Sequence, residues 1–471
     1  METLPHAPIR LRVDRRSESD ARPAPVGVWA TLRYLGPGLI VTGSIVGSGE
    51  LIITTRLGAE VGFAFLWLIL LSCAIKVFVQ IELGRYTISS GETALEALDR
   101  VPGPRLGASW VVWWWLLMLM TAFFQIGGIV GGVGQALNIG LPLETLRLGP
   151  LSIPFGVTGY VLLVGLSGMI LLYRGRYRLI ERTTTAMVFL FTAVTVGAAL
   201  LLERTPYAIT GEQLLEGLSL RIPEHGVGTA FAMFGITGVG ASELIYYPYW
   251  CLEKGYARFA GPRSDSPAWS ERASGWVRVL KIDAWLSMAV YTVTTIAFYL
   301  LGAAVLHARG ELPDRDRMMA VLSNMYVETI GPGGLAVFLA GSFAVLYSTF
   351  FVGTASNARA LVDGAGVLKL ARYRDLEHRR RWIGYLCLLY PVVCCLIYLV
   401  SDSQPVFLIK IGATVQAMTL PVIAASAIYL RYRHTDGRLR PGRLSDLMLF
   451  IAAVSMTVVS AYQAYVLLSS R

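Results

Sequence analysis

Apolar stretches of about 20 residues recur along the whole chain, separated by short polar segments. Windows such as LWLILLSCAIKVFVQ, WVVWWWLLMLMTAFF and LMLFIAAVSMTVV read as the apolar cores of helices that cross the roughly 30 Å hydrocarbon layer of a bilayer. The pattern predicts about eleven spans, centred near residues 46, 75, 123, 162, 191, 240, 292, 345, 391, 417 and 456. The expected fold class is therefore an all-α integral membrane protein with a lipid bilayer as its solvent.

The polar segments have a pattern of their own. Lys and Arg collect in the N-terminal segment, in YRGRYRLIER (173–182), between Lys254 and Lys281, in ARYRDLEHRRR (371–381) and in RYRHTDGRLRPGR (431–443). The intervening loops have few positive charges, as in SDSQP (401–405), or offset them with acids, as in HARGELPDRDR (307–317). Positive residues favour the cytoplasmic side, so the N-terminus is expected inside and, with eleven spans, the C-terminus outside, in a bacterial inner membrane.

Composition narrows the class further. Of 471 residues 55% are hydrophobic and 15% charged, too apolar for a water-soluble globule of this size. The net charge of +10 is explained by membrane headgroups rather than by nucleic acid, because it alternates with the loops. Cys73, Cys251, Cys387, Cys394 and Cys395 fall in or beside apolar stretches and are expected to pack as small hydrophobes. Residues 1–30 begin polar, Arg-rich and proline-bearing, without the apolar core of a cleavable signal, and are expected to be a disordered cytoplasmic tail. No nucleophile–base constellation or nucleotide-binding loop appears, and an enzyme is not expected. No cofactor is implied.

Two spans break their own pattern. GSIVGSGE (43–50) puts glycines, serines and a glutamate near the centre of the first span, and GITGVGASE (235–243) does the same in the sixth. Glycine weakens a helix by about 1 kcal/mol relative to alanine, and an opened backbone survives in a membrane only inside protein or beside a cavity. Both spans are therefore expected to be discontinuous. Gly47, Ser48 and Gly49 mark one break, with Glu50 starting the next half-helix. Gly240, Ala241 and Ser242 mark the other, followed by Glu243. Broken first and sixth spans at the heads of two five-span halves point to an inverted-repeat secondary transporter with its substrate at midplane. The expected halves are 31–205 and 206–432, with a loop and an extra helix over 433–471.

Carbonyls, the hydroxyls of Ser48 and Ser242, and the carboxylates of Glu50 and Glu243 form an all-oxygen set that suits a hard divalent cation. The plainer explanation is that each glutamate caps its half-helix, worth about 0.3–1 kcal/mol. That is small beside the roughly 2.5–3.5 kcal/mol cost of charge at a helix centre. Thr42, Gln125, Asp283 and Gln416 are possible accessory groups. Gln125 reads more readily as interhelical glue than as a ligand, and for Asp283, which follows Lys281, lining an entrance is the alternative to local pairing. Lys76, Glu82, Asp283 and Lys410 fall near predicted span ends or on amphipathic faces, where snorkelling and local pairing are the ordinary explanation.

LGPGLIVTGSIVGSGELIITTRLGAEVGF (35–63) resembles the first helix of the natural resistance-associated macrophage proteins, the Nramp divalent-metal transporters. The resemblance continues through VQIELGRYTISSGETALEAL (79–98), GTASNARALVDG (353–364) and QAMTLPVIA (416–424). It implies two inverted five-helix repeats, a fold shared with amino-acid and neurotransmitter-sodium transporters, and alternating access around the broken helices. Where that family carries Asp-Pro-Gly-Asn, this chain has Gly47, Ser48, Gly49 and Glu50; where it carries Met-Pro-His, this chain has Gly240, Ala241 and Ser242. Losing the methionine sulfur shifts the expected cargo towards Mg²⁺ or Mn²⁺ over Fe²⁺, and losing the histidine puts ordinary proton coupling in doubt. The competing expectation is a small organic solute, amino acid or anion, since GSG in a broken first helix also looks like the motif with which amino-acid permeases of this fold take a substrate carboxylate.

Overall fold

The computed structural model describes residues 18–148, 151–173, 177–401 and 404–469. Among these, eleven helices are long and apolar enough to cross a membrane, and every predicted centre falls inside one of them. The spans run Pro37–Val61, Leu66–Ser90, Trp110–Gly140, Gly156–Tyr173, Tyr177–Arg204, Val227–Lys254, Pro267–Leu306, Gly334–Val367, Leu376–Val400, Pro405–Arg433 and Arg443–Val466. Two short antiparallel hairpins, pairing Arg105 with Ser109 and Thr145 with Pro154, lie between spans.

Burial orders the bundle. The apolar windows of the first and sixth spans are 94% buried, against 28% for the fifth and 22% for the eleventh. The two spans rich in glycine and acid are thus the centre of the molecule, shielded from lipid by the others. The second span packs along the seventh and the third along the eighth, the pairs that a two-fold relating spans 1–5 to 6–10 would match.

The sixth span is open. Its first half-helix, Val227–Ile236, ends before Thr237, and its second, Ala241–Lys254, begins after Gly240. The gap is Thr237 to Gly240, earlier than expected: Ala241 and Ser242 already belong to the second half-helix, and Glu243 lies in its first turn. The first span is interrupted differently. Its α-helical turns stop at Ile45, resume at Thr55, and are joined by π-helical turns over Val46–Thr54. The expected opening at Gly47, Ser48 and Gly49 is therefore a widened winding rather than an unwound strand.

A hydroxyl from the eighth span sets this winding. Thr349 Oγ1 donates to the Gly43 carbonyl at 2.9 Å and accepts from the Gly47 N–H at 3.1 Å, so it stands between two groups that an α-helix would pair directly. Only glycine fits at 47, where a Cβ would lie 2.1 Å from that oxygen. Farther along, Thr54 Oγ1 donates to the Gly49 carbonyl at 2.9 Å.

Part of the expected N-terminal tail is held in place. Residues 1–17 lie outside the described residues, but from Glu18 onward the chain lies against the start of the seventh span. Arg22 donates its N–H to the Phe259 carbonyl and stacks its guanidinium 3.6 Å from that ring, while the Trp276 indole donates to the Arg22 carbonyl. Three aromatic side chains, Tyr34, Phe259 and Trp276, give Arg22 and its neighbours an apolar seat.

Candidate functional site

Gly238 has a φ of +65°, which lets the chain turn between the two half-helices of the sixth span. Its N–H then points at the first span, where Glu50 is wholly buried. Glu50 accepts from the Gly238 N–H at 3.2 Å and lies 3.3 and 3.4 Å from the hydroxyls of Thr54 and Thr237, whose two protons are shared among Glu50, the Gly49 carbonyl and each other. Those two hydroxyls also bond each other at 2.9 Å. Glu50 thus ties the π-helical turns to the gap in the sixth span. Gly49 allows the approach: a Cβ there would sit 3.1 Å from the Ile236 carbonyl.

Glu243 occupies a second compartment. One of its oxygens accepts from Ser44 Oγ at 2.9 Å. The other lies over Gly240, the cap residue of the second half-helix. Beside it, the Ser242 N–H donates to Gln416, whose amide donates in turn to Gln125 at 2.6 Å. The hydroxyl of Ser242 is buried beside that of Tyr246. The expected residues Gly240, Ala241, Ser242, Glu243, Gln125 and Gln416 therefore lie together, and the Gln416–Gln125 bond, which joins the tenth span to the third, is the interhelical glue expected of Gln125.

Other expected residues go elsewhere. Gly47 packs on Thr349, and the side chain of Ser48 lies outside the described residues. Thr42 donates back to the Gly38 carbonyl within its own helix. Asp283 lines no entrance: it is buried in the seventh span and accepts from the N–H groups of Gly36 and Gly38 at 2.8 and 2.7 Å and from the Tyr247 hydroxyl at 3.0 Å. The GPG at 36–38 is thus a helix start whose orphan donors are satisfied by a carboxylate from another span.

The most consequential residue is one that snorkelling was expected to explain. Lys76 is completely buried in the second span and donates to the carbonyls of Phe234 and Thr237, the latter at 2.8 Å. Ser72 donates to the same Thr237 carbonyl at 3.1 Å. The signal was available: Lys76 lies next to the predicted centre of its span, too deep to reach headgroups. Cys73, one turn away on that helix, lies against Gly238 and brings a sulfur atom to the gap that the all-oxygen expectation left out.

Beyond the gap, the second half-helix is anchored by charge. Arg359 forms a two-pronged pair with Glu253 at 2.6 and 3.2 Å, and Lys254 reaches Glu181 at 2.5 Å. Asn357 links Tyr246 to Tyr390. The segment GTASNARALVDG thereby clamps the sixth span. Glu82 is neither exposed nor near lipid, being buried between Arg85 and Arg431. Lys410 donates to Thr229. Among the described residues no three His, Cys, Asp or Glu side chains gather as a metal cluster, and no histidine lies at either interruption.

Residues 38–466 match the family described as natural resistance-associated macrophage protein-like. The chain is 24% identical over 342 residues to the divalent metal cation transporter MntH of Chromohalobacter salexigens, covering 70% of each sequence. It is 23% identical over 350 residues to the protein of that name from Deinococcus radiodurans, covering 74% of this chain and 73% of the relative. In structure it is similar to the manganese transporter of Eremococcus coleocola, with a TM-score of 0.64 at 16% identity over 95% of this chain and 91% of that one. The nucleobase-cation-symport-1 transporter Mhp1 aligns with a TM-score of 0.52 at 12% identity, over 92% and 93% of the two chains.

Proposed function

Because the chain belongs to the natural resistance-associated macrophage protein-like family, we propose that it is a secondary transporter that moves a divalent cation by alternating access around its first and sixth spans. Mg²⁺ or Mn²⁺ is favoured over Fe²⁺. The observation that carries this reading is Glu243, a carboxylate buried at the sixth-span interruption with a serine hydroxyl as its side-chain donor, set beside the interruption at which Glu50 is also buried. Burial of carboxylates at this depth is costly unless a cation or donors compensate. Oxygen donors of this kind suit hard ions, and side chains smaller than the family's leave room for an ion that keeps part of its water. The two relatives named as divalent metal cation transporters support the same cargo class.

The five basic segments support an N-terminus in the cytoplasm and a C-terminus outside, in a bacterial inner membrane. We keep proton coupling out of the proposal, since Ser242 stands where the family's histidine is expected.

A second reading, a zwitterionic organic solute, is favoured by one observation. The sixth-span gap has an ammonium on one side and a carboxylate on the other, and could meet both charges of such a molecule. Uptake into proteoliposomes across Mg²⁺, Mn²⁺, Fe²⁺, Ca²⁺ and amino acids, with internal pH followed, separates the two. Divalent-ion flux that falls about tenfold or more in Glu50→Gln and in Glu243→Gln is expected. Absent flux, or flux unchanged in both variants, rejects the cation reading, and amino-acid uptake in its place selects the second.

A further inference from the structure

We infer that Lys76 is a resident cation of the sixth-span gap, holding carbonyls that the opened helix would otherwise offer to a cation from solution. The first half-helix ends at Ile236, so its last carbonyls have no partner within the helix and lie at the negative end of its dipole. Lys76 Nζ donates to two carbonyls there, those of Phe234 and Thr237, and stands 4.7 Å from the centre of the Phe234 ring. An ammonium on two carbonyls and a ring face is bound much as a small cation would be.

Its countercharge is reached through a single peptide group. The carbonyl of Thr237 receives Lys76, and the N–H of the next residue, Gly238, is given to Glu50. In a trans peptide these two groups point in opposite directions, so the ammonium and the carboxylate stand on opposite faces of the link and both polarise it in the same sense. Neither charge is exposed. An unpaired buried ammonium or carboxylate is strongly disfavoured, and here each is matched with donors or acceptors and with the other.

A division of labour follows. Glu50 is committed to Lys76 through the gap and acts as a positioning residue. Glu243, with Ser44 and the Gln416–Gln125 pair beside it, is the carboxylate left for a cargo. That consequence for cargo rests on the transporter reading. The assignment of Lys76 concerns equilibrium binding and is tested without transport.

Purified full-length protein in detergent is titrated with MgCl₂, MnCl₂ and NaCl, following bound ion by calorimetry and the unfolding temperature. The variants are Lys76→Gln, which keeps an N–H donor but loses the charge, Lys76→Arg, which keeps the charge, and Lys76→Gln combined with Glu50→Gln. Lys76→Gln should bind at least one of the three cations about tenfold or more tighter than the original, the Arg variant should match the original, and the double variant should lose the gain. Binding that is unchanged or weaker in Lys76→Gln, or a gain that survives in the double variant, overturns the assignment. If Lys76→Gln accumulates unfolded, recovery of folded protein when these salts are present throughout purification supports it, and a yield the salts leave unchanged counts against it. A chain whose cargo is not a cation would show no binding in the original and the same gain in Lys76→Gln, so the two readings fail separately.

Discussion

In the first span nine residues, Val46–Thr54, stay wound in π-helical turns, whereas in the sixth the helix stops at Ile236 and resumes at Ala241. The two stretches have similar residues, GSGE and GASE, and lie against each other at Glu50. They differ in what their neighbours supply. The first span meets an eighth-span hydroxyl that stands between Gly43 and Gly47, so one turn is relaxed without exposing a run of carbonyls. The sixth meets Lys76 and Ser72, which take its carbonyls outright, and Glu50, which takes an N–H. A glycine-rich sequence therefore permits an interruption, while the donors and acceptors around it decide whether the helix widens or opens.

This contrast can be broken at several points. The largest stability effect is expected from Gly47→Ala, because the new methyl would displace the Thr349 hydroxyl from between Gly43 and Gly47. A loss of about 3 kcal/mol is expected, read as a lowered unfolding temperature in detergent. A neutral result would mean that the π-helical turns do not depend on that hydroxyl. Gly238→Ala tests the open gap instead. There the left-handed backbone costs about 1–2 kcal/mol for any other residue, so the variant should be destabilised less than Gly47→Ala. Finding it the more damaging of the two would reverse the ranking of the interruptions.

Ser44→Ala is the mildest probe. It removes one neutral hydroxyl from Glu243, for about 0.5–1.5 kcal/mol, and should change cargo affinity more than it changes the unfolding temperature. If stability falls and affinity does not, Glu243 is a cap and no more. With the glutamate and Lys76 variants above, these substitutions test the proposed division between a structural role at Glu50 and a cargo role at Glu243.

The spans were legible because hydropathy is local: each apolar stretch announces its own length whatever it packs against. The interruptions were legible as well, since glycines and acids in an apolar stretch are rare and conspicuous. Their form was not. GSIVGSGE contains nothing that distinguishes π-helical turns from an opened strand, because the deciding oxygen belongs to Thr349, about 300 residues away by the fold's long-range contacts. Asp283 illustrates the same limit. Beside Lys281 it reads as a locally paired or entrance residue, yet its partners are two backbone N–H groups at the start of the first span. Lys76 reads from sequence as an ordinary snorkelling lysine, and its meaning needed the end of a different helix.

The sequence by itself determined the membrane as solvent, the number and order of the spans, and the two places where the helical pattern gives way. It could do so because lipid imposes one rule on each segment separately: bury the backbone in a helix or have a reason not to. Only the tertiary structure decided which carboxylate faces an ammonium, which faces a serine, and which of two glycine-rich stretches opens. Those outcomes depend on hydrogen bonds between spans far apart in sequence, and such bonds exist only once the spans have packed.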